Sequence, residues 1–300
     1  MKKIIVTTTI NEPTTALKKF AEMDEWKLIV VGDKKTPHEK YKDLNCIYMH
    51  PTEQESKYSE ISNSLGWNTI QRRNIGFIEA YNLGADVVAT VDDDNIPYSH
   101  WGKNLLINKT LDIDYYDSSN IGVFDALSIT NHSELWHRGF PIERLSKKND
   151  VIYLGKKRIN NIQIQADLWD GDPDIDAMCR LTKSPIVKFD ITEPFTSNSI
   201  MPFNSQNTFI GREVLPYYMV LPFIGRMDDI WGAYILQKQI KCSIVFNKAS
   251  VYQQRNVQDL ITNLEREIIG YRFTNKLINN QYQIEDKVQK VYDLYKSYFK

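Results

Sequence analysis

Three short apolar runs divide the first third of the chain, each rich in β-branched residues: "KIIVTTT" (Lys3 to Thr9), "WKLIVVGD" (Trp26 to Asp33) and "ADVVATV" (Ala85 to Val91). Runs of this length and content suit buried strands. The segments that separate them have helical character. "NEPTTALKKFAEM" reads as a loop and then a helix, with Thr14 or Thr15 as N-cap. "QRRNIGFIEAYNLG" (Gln71 to Gly84) places Ile75, Ile78 and Ala80 to Leu83 at helix-like spacing and ends on Gly84, a suitable C′ residue. Strands alternating with helices predict a parallel sheet, because parallel neighbours need a crossover between them. In open sheets of this kind ligands bind just beyond the carboxyl ends of the strands.

At that end of the third run stand Asp92, Asp93 and Asp94, in "VATVDDDNIP". Three adjacent carboxylates repel one another unless something lies between them. Side chains alternate along a strand, so Asp92 and Asp94 are expected to share a side while Asp93 points away, toward the protein. Two hard oxygen donors on one side suit Mg2+ or Mn2+, with coordination positions left for phosphate oxygens. The competing reading is a solvated acidic turn with Asn95 and Pro97 as ordinary turn residues.

Bulk properties narrow the choice. The 300 residues are 42% hydrophobic and 25% charged, a globular composition with room for one large domain or two small ones. With 37 basic and 38 acidic residues, no basic field supports general nucleic-acid binding. Cys46, Cys179 and Cys242 are odd in number and far apart, which argues against a disulfide framework or zinc site and for a reducing compartment. The apolar part of "MKKIIVTTTINEP" is too short for a secretion signal, and no apolar stretch is long enough to cross a bilayer. The expected location is the cytoplasm, with peripheral contact at a membrane as the alternative. The chain has no P-loop, dinucleotide fingerprint or GxSxG elbow. A phosphatase with a nucleophilic aspartate would prefer its Asp pair at an early strand, and the first strand here ends in threonines.

Beyond residue 100 the pattern is mixed. "SNIGVFDALSI", "SPIVKFDI" and "CSIVFNKASVY" predict strands, and "MDDIWGAYILQKQI" predicts a helix. From Val257 onward the sequence reads as helical, with amphipathic faces expected to pack on the protein rather than on a membrane. Lys34 to Gly66 reads as polar and irregular. No repeat or Pro/Gly linker forces a domain cut. The run "DLWDGDPDIDAMCRL" fails as a calcium loop, with Ile175 where Gly is needed and Leu181 where Glu is needed. Trp169, Asp170, Gly171 and Asp172 suggest the wall of a sugar site instead; a surface turn over a buried tryptophan is the alternative. Asp228 and Asp229 open the predicted helix, where the helix dipole favours carboxylates. One of them suffices for that role, so the pair also offers a general base.

Taken in order, "VVGDKKTP" (Val30 to Pro37), "RRNIGF" (Arg72 to Phe77), "DDDN" (Asp92 to Asn95), "ADLWDGDPDIDA" (Ala166 to Ala177), "FNSQNT" (Phe203 to Thr208) and "PFIGRMDDIWGAY" (Pro222 to Tyr234) resemble the plant STELLO-type glycosyltransferase family. "DDIWGAY" is also similar to a stretch of the reversibly glycosylated polypeptides, the UDP-arabinopyranose mutases. The resemblance implies a GT-A nucleotide-diphospho-sugar transferase fold: an α/β architecture with a mainly parallel central sheet flanked by helices. It implies one catalytic domain over 1–256, with a nucleotide-binding half (1–100) and an acceptor and sugar half (101–256), followed by a helical extension over 257–300. The implied activity moves a sugar from a UDP-sugar donor to a glycan or glycoconjugate acceptor, with Mn2+ or Mg2+. Thr8, Thr9, Ile10, Asp33, Lys34, Arg72, Arg73, Asn74, Asp92 and Asp93 would serve the nucleotide, and Asp92 and Asp94 the metal. Trp169, Asp170, Gly171, Asp172, Asn204 and Asn207 would line the substrate site. Asp229, or else Asp228, would deprotonate the acceptor hydroxyl.

One departure is specific. Many such enzymes draw a third metal ligand from a histidine late in the fold, but His38, His50, His100, His132 and His137 all lie in the first half. Gln253, in "YQQRN", is the candidate substitute. Two other functions remain open from the sequence: a UDP-sugar mutase, and a non-catalytic partner of other transferases that keeps the nucleotide-sugar fold.

Overall fold

The computed structural model describes residues 1–183, 185–255 and 258–300. Ser184, in the "SPIVKFDI" segment, and Asn256 and Val257, where the catalytic domain was expected to give way to the helical extension, lie outside the described residues.

The N-terminal half is built as its apolar runs predict. β1 (Lys3–Thr9), β2 (Lys27–Gly32) and β4 (Val87–Val91) are parallel neighbours, with β3 (Ile47–Met49) added outside β2. All five residues of β4 are buried, as befits a strand covered on both faces. α1 (Thr15–Ala21) is capped by the Thr14 hydroxyl, which accepts from Leu17 N at 3.2 Å. α4 (Arg73–Asn82) ends at Leu83, and Gly84 follows at φ +77°, the left-handed conformation that a C′ glycine supplies. Lys34 to Gly66 is more ordered than its composition predicts. It holds β3, α2 (Pro51–Lys57) and α3 (Ser59–Leu65).

The sheet then continues in strand order β3-β2-β1-β4-β10-β8-β11-β9-β6-β7, with short β5 (Asn95–Pro97) paired to β11. β10 (Asn207–Gly211) is inserted antiparallel between β4 and β8 (Ile162–Gly171). β11 (Ser243–Gln253) runs parallel to β8. Strands β1 to β4, β8, β11 and β7 (Ile152–Ile159) therefore point one way, and β5, β10, β9 (Phe195–Ser197) and β6 (Leu111–Asp117) the other. "SNIGVFDALSI" is not a strand. Asp125 accepts from Leu127 N at 2.9 Å and caps a 3-10 turn over Ala126–Ile129. The described part of "SPIVKFDI" contributes only a bridge from Val187 to Gly171.

Three longer or later helices complete the molecule: α6 (Asp228–Gln239), α7 (Leu260–Ile278) and α8 (Asp286–Ser297), with α5 (Ala177–Lys183) beside α7. The C-terminal pair is part of the main core. Leu277, Val288, Tyr292 and Tyr295 are buried in it, and the Tyr292 and Tyr295 hydroxyls donate to the carbonyls of Tyr217 and Leu215 at 2.9 and 3.1 Å. Among the described residues no helix is long and apolar enough to cross a membrane.

Candidate functional site

A cavity of about 530 Å³ opens at the carboxyl end of β4 and collects Asp92, Asp94, Gln253, Asp228 and Asp229. Three local features bring them together. The turn after β4 carries the first two. β5 pairs with the end of β11, setting Gln253 opposite Asn95, and Gln254 N donates to the Asp94 carbonyl at 3.1 Å. The first turn of α6 supplies the carboxylate pair.

Asp93 does turn away from Asp92 and Asp94. It accepts from the Thr9 hydroxyl and from Asn11 Nδ2 at 2.9 Å, so it ties the β4 turn to the end of β1. There it borders a side cavity of about 200 Å³ with Thr8, Thr9, Ile10 and Asp33, which shares the strip Asn68 to Ile70 with the main cavity. Asp33 is buried and caps its own neighbourhood, accepting from Lys34 N at 2.7 Å and Thr69 N at 3.1 Å. The Lys34 side chain does not join this site. Its ammonium lies 4.6 Å from the centre of the Trp67 ring.

The two neighbouring arginines have different jobs. Arg73 reaches Asp92 in an ion pair and also donates to Ser205 O at 2.7 Å and Ser205 Oγ at 2.6 Å. Arg72 is fully buried and bonded to Gln54, Ser62 and Gly66, with its guanidinium 3.7 Å from the Trp67 ring centre. It is spent on packing, not on a ligand. Asn74 likewise clamps Val220, donating to its carbonyl at 2.7 Å and accepting from its N–H at 2.9 Å.

The expected substrate wall is also internal structure. β8 is a central strand, so Trp169 is 2% exposed and packs against His137 and Phe189. Asp170 accepts from the Tyr98 hydroxyl at 2.9 Å and Phe189 N at 3.0 Å. Gly171, at φ +90°, lies so close to β11 that a Cβ would meet Gln253 O at 2.5 Å. Asp172 pairs with Arg180 and, at 3.4 Å, with Arg255. Asn207 is bonded to Trp101 and Ser250 in the core. Asn204 acts one step back, donating to Asp174 at 3.0 Å. Of that acidic run it is Asp174 that reaches the cavity.

The cavity's remaining charged groups were not visible in the sequence. Arg138, Arg226, Arg255 and Arg266 line it together with Asp174. Arg226 stands just before the aspartate pair, Arg255 in "YQQRN" and Asp174 in the acidic run, but none of the three was picked out for this cavity. Arg138 comes from a segment with no motif of its own and meets Asp174, a member of the acidic run, only by folding.

The carboxylates are electrostatically unequal. Burial, and then the charge of Asp92, push Asp94 up to about 7, and its Oδ1 is buried without a hydrogen-bond partner. Burial, and then Asp229, push Asp228 up to about 7; it accepts from Gln71 Nε2 at 2.8 Å. Burial is the largest influence on Asp229 and works against its ionisation, but the charge and hydrogen bonds of Arg138, together with the Ser205 N–H, hold this group below the usual carboxylate range. Ser205 N and Oγ add bonds to Asp229 at 2.9 and 3.1 Å. No cluster of three or more His, Cys, Asp or Glu suited to a metal ion occurs among the described residues. The donors on hand are therefore Asp92, Asp94 and the Gln253 amide. The orphaned, proton-hungry oxygen of Asp94 beside a second carboxylate fits a hard divalent cation.

The chain is thus a mixed α/β protein whose candidate site lies at the carboxyl end of β4 in a mixed sheet, with two carboxylate pairs facing one cavity. No known family profile matches it. It is similar to two proteins of Arabidopsis thaliana: "Probable glycosyltransferase STELLO1", 24% identical over 200 residues, and "Probable glycosyltransferase STELLO2", 24% identical over 203 residues. Each match spans 63% of this chain and 26% of the length of the relative. Among solved structures it is similar to glucosyl-3-phosphoglycerate synthase from Mycobacterium tuberculosis in complex with phosphoglyceric acid, at TM-score 0.48 and 12% identity, covering 95% of this chain and 81% of that one. The same enzyme in complex with Mn2+ and UDP-glucose matches at TM-score 0.47 and 10% identity, covering 91% and 78%.

Proposed function

We propose that the cavity transfers a sugar from a UDP-sugar donor to a hydroxyl of a glycan or glycoconjugate acceptor, on a GT-A type of fold and with Mn2+ or Mg2+. The observation that carries this reading is the convergence of Asp92 and Asp94 with Asp228 and Asp229 in one cavity, beside a side cavity at the ends of β1 and β2. The similarity to two proteins named as glycosyltransferases supports it.

Asp92, Asp94 and Gln253 would hold the cation, which when bound offsets the charge that develops on the leaving diphosphate. Arg73 fixes the orientation of Asp92 from behind. Arg255 and Arg266 line the same cavity and offer guanidinium forks to phosphate oxygens. The side cavity bounded by Thr8, Asp33 and Asp93 takes the nucleoside.

Proton transfer falls to Asp228 in this reading rather than to Asp229, the first candidate from the family resemblance. Asp229 is locked to Arg138 and Ser205, whereas Asp228 is poised near neutrality, where a general base works best. The acceptor O–H proton passes to the Asp228 carboxylate. The freed electron pair forms the bond to the anomeric carbon, and the old C–O pair leaves with the diphosphate. One displacement of this kind inverts the anomeric centre.

Calorimetry with UDP, with and without Mn2+, followed by a panel of UDP-sugars, tests the donor site. UDP uptake should require Mn2+ and should be lost in Asp94→Ala. The melting temperature of that variant at neutral pH in EDTA should stay level or rise, because a repelling buried carboxyl has gone. No heat with UDP or GDP in Mn2+ would overturn the reading.

A further inference from the structure

Arg138 comes from the loop between the Ala126–Ile129 turn and Pro141, far from either aspartate pair in sequence. Its guanidinium forks in both directions. Nε and Nη2 donate to Asp174 Oδ1 and Oδ2, each at 2.9 Å, and Nη1 and Nη2 donate to Asp229 Oδ1 and Oδ2 at 2.9 and 3.2 Å. The side chain is only 7% exposed. Asp228 lies 3.9 Å from Nη1, within reach of the charge but without a hydrogen bond from it.

Of the other charges facing this pair, Arg226, Arg73 and Arg255 have carboxylate neighbours elsewhere, and Arg266 of α7 lines the same cavity. Arg226, from the turn before α6, donates to Glu267 at 2.8 Å. Arg73, from α4, is held by Asp92 and Ser205. Arg255, after β11, lies 3.4 Å from Asp172. Gln71 gives Asp228 a neutral amide, and Tyr218 nearby is a buried phenol. Among the described residues, Asp228 is thus the carboxylate of the pair to which no cation donates a hydrogen bond. Two adjacent buried carboxylates do not both ionise freely, and a cation fixed on one assigns the proton to the other.

We propose that Arg138 is the positioning residue that divides the pair: by clamping Asp229 to Asp174 it makes Asp229 a fixed anion and leaves Asp228 to take the acceptor's proton. This rests on the transferase reading of the cavity. In the step itself the hydroxyl proton goes to Asp228, the oxygen pair bonds to the anomeric carbon, and the leaving pair departs on the diphosphate; Asp229 and Arg138 exchange no atoms.

The test is carbon-13 NMR of protein labelled at the aspartate side-chain carboxyls, titrated in EDTA, with Asp228→Asn and Asp229→Asn used for assignment. In the unaltered protein the Asp228 resonance should titrate near neutrality, and that of Asp229 should stay ionised below the usual carboxylate range. In Arg138→Gln the Asp229 transition should rise by about 1–3 pH units, the shift a close cation commands. A buried pair robbed of one partner costs much stability, so Arg138→Lys is the second variant. A lysine keeps the charge but cannot fork to both carboxylates, so the same upward shift should be smaller. Unchanged titrations in both variants, or Asp229 titrating near neutrality in the unaltered protein, would overturn the inference. UDP calorimetry on the same samples separates the two readings. Intact Mn2+-dependent uptake with unchanged titrations sinks the role of Arg138 alone, and absent uptake with the division intact sinks the transferase reading.

Discussion

Asp94 and Asp228 are both pushed up to about 7, burial being the larger cause in each, yet they are poised for different tasks. Asp94 has an unpartnered oxygen and a carboxylate neighbour, the conditions that favour a cation. Asp228 has an amide donor and a neighbour already neutralised, the conditions that favour a proton. Asp228→Asn keeps the shape and the chance of a hydrogen bond to Gln71 but cannot take a proton. Its Mn2+-dependent UDP binding should therefore match that of the unaltered protein while sugar transfer falls about 100-fold or more. Loss of UDP binding together with turnover would place Asp228 in the donor site instead. The two aspartate pairs were legible in the sequence because their members stand within two positions of each other and follow an apolar run or open a helix. Arg138 was not, and the acidic run did not single out Asp174, because the contact between these two joins loops and the contact from Arg138 to Asp229 spans 91 positions. Trp169, read from its residue type, and Asn207, taken from the family resemblance, were expected at a substrate, but their strands are central and the partners they needed lie in the core.

The elements that position these residues hold one another at close range. α6 presents Asp228 and Asp229, and at Gly232 it comes so near the strap of residues 218–221 that an added Cβ would meet the Met219 carbonyl oxygen at 2.1 Å. That strap is itself fixed by Asn74 from α4. In an exposed helix Gly→Ala would gain about 1 kcal/mol. Here the close approach reverses the sign: Gly232→Ala should lose about 1–3 kcal/mol, as overpacked cores do. Denaturant unfolding of the variant checks this, and increased stability would refute the packing argument. At this level the parallel strands were the easiest elements to read, since burial on both faces writes an unbroken apolar run. The antiparallel pair β6–β7 was hidden because it is half solvated and charged, as in "LDIDYYD" and "IYLGKKRI". β8 was hidden because its sequence, "IQIQADLWDG", carries polar groups that its buried neighbours satisfy, such as the 2.7 Å bond from Gln165 to Asp167. The ordered helices within Lys34 to Gly66 depend on burying only Pro51 and Gln54 in one and Ile61, Ser62 and Leu65 in the other, too few apolar positions for a clear period.

Across the whole molecule, buried aspartates make stability depend on pH in an unusual direction. Burial is the leading cause that raises Asp94, Asp176 and Asp228 to about 7 and Asp167 to about 6. In the unfolded chain all four lose their protons near pH 3.9. Between that value and about 7 the unfolded state ionises while the folded state holds its protons. These groups therefore contribute stability that is full below about pH 4 and is lost as the pH climbs toward 7. His38, lowered chiefly by its burial, acts in the opposite sense over the upper part of this window, but it is one group against four. Asp174 and Asp229 are lowered despite their burial, chiefly by Arg138, so their contribution fades only in more acid solution. In EDTA the melting temperature should fall between about pH 5 and pH 7.5. Mn2+ should recover part of the loss at the upper end, because a bound cation favours the ionised form of Asp94. In Asp94→Asn the metal-free slope should be shallower and the Mn2+ effect absent. A melting temperature in EDTA that is flat or rising over this range would mean that these aspartates ionise in the folded protein as readily as in the unfolded chain, and that burial does not poise the site.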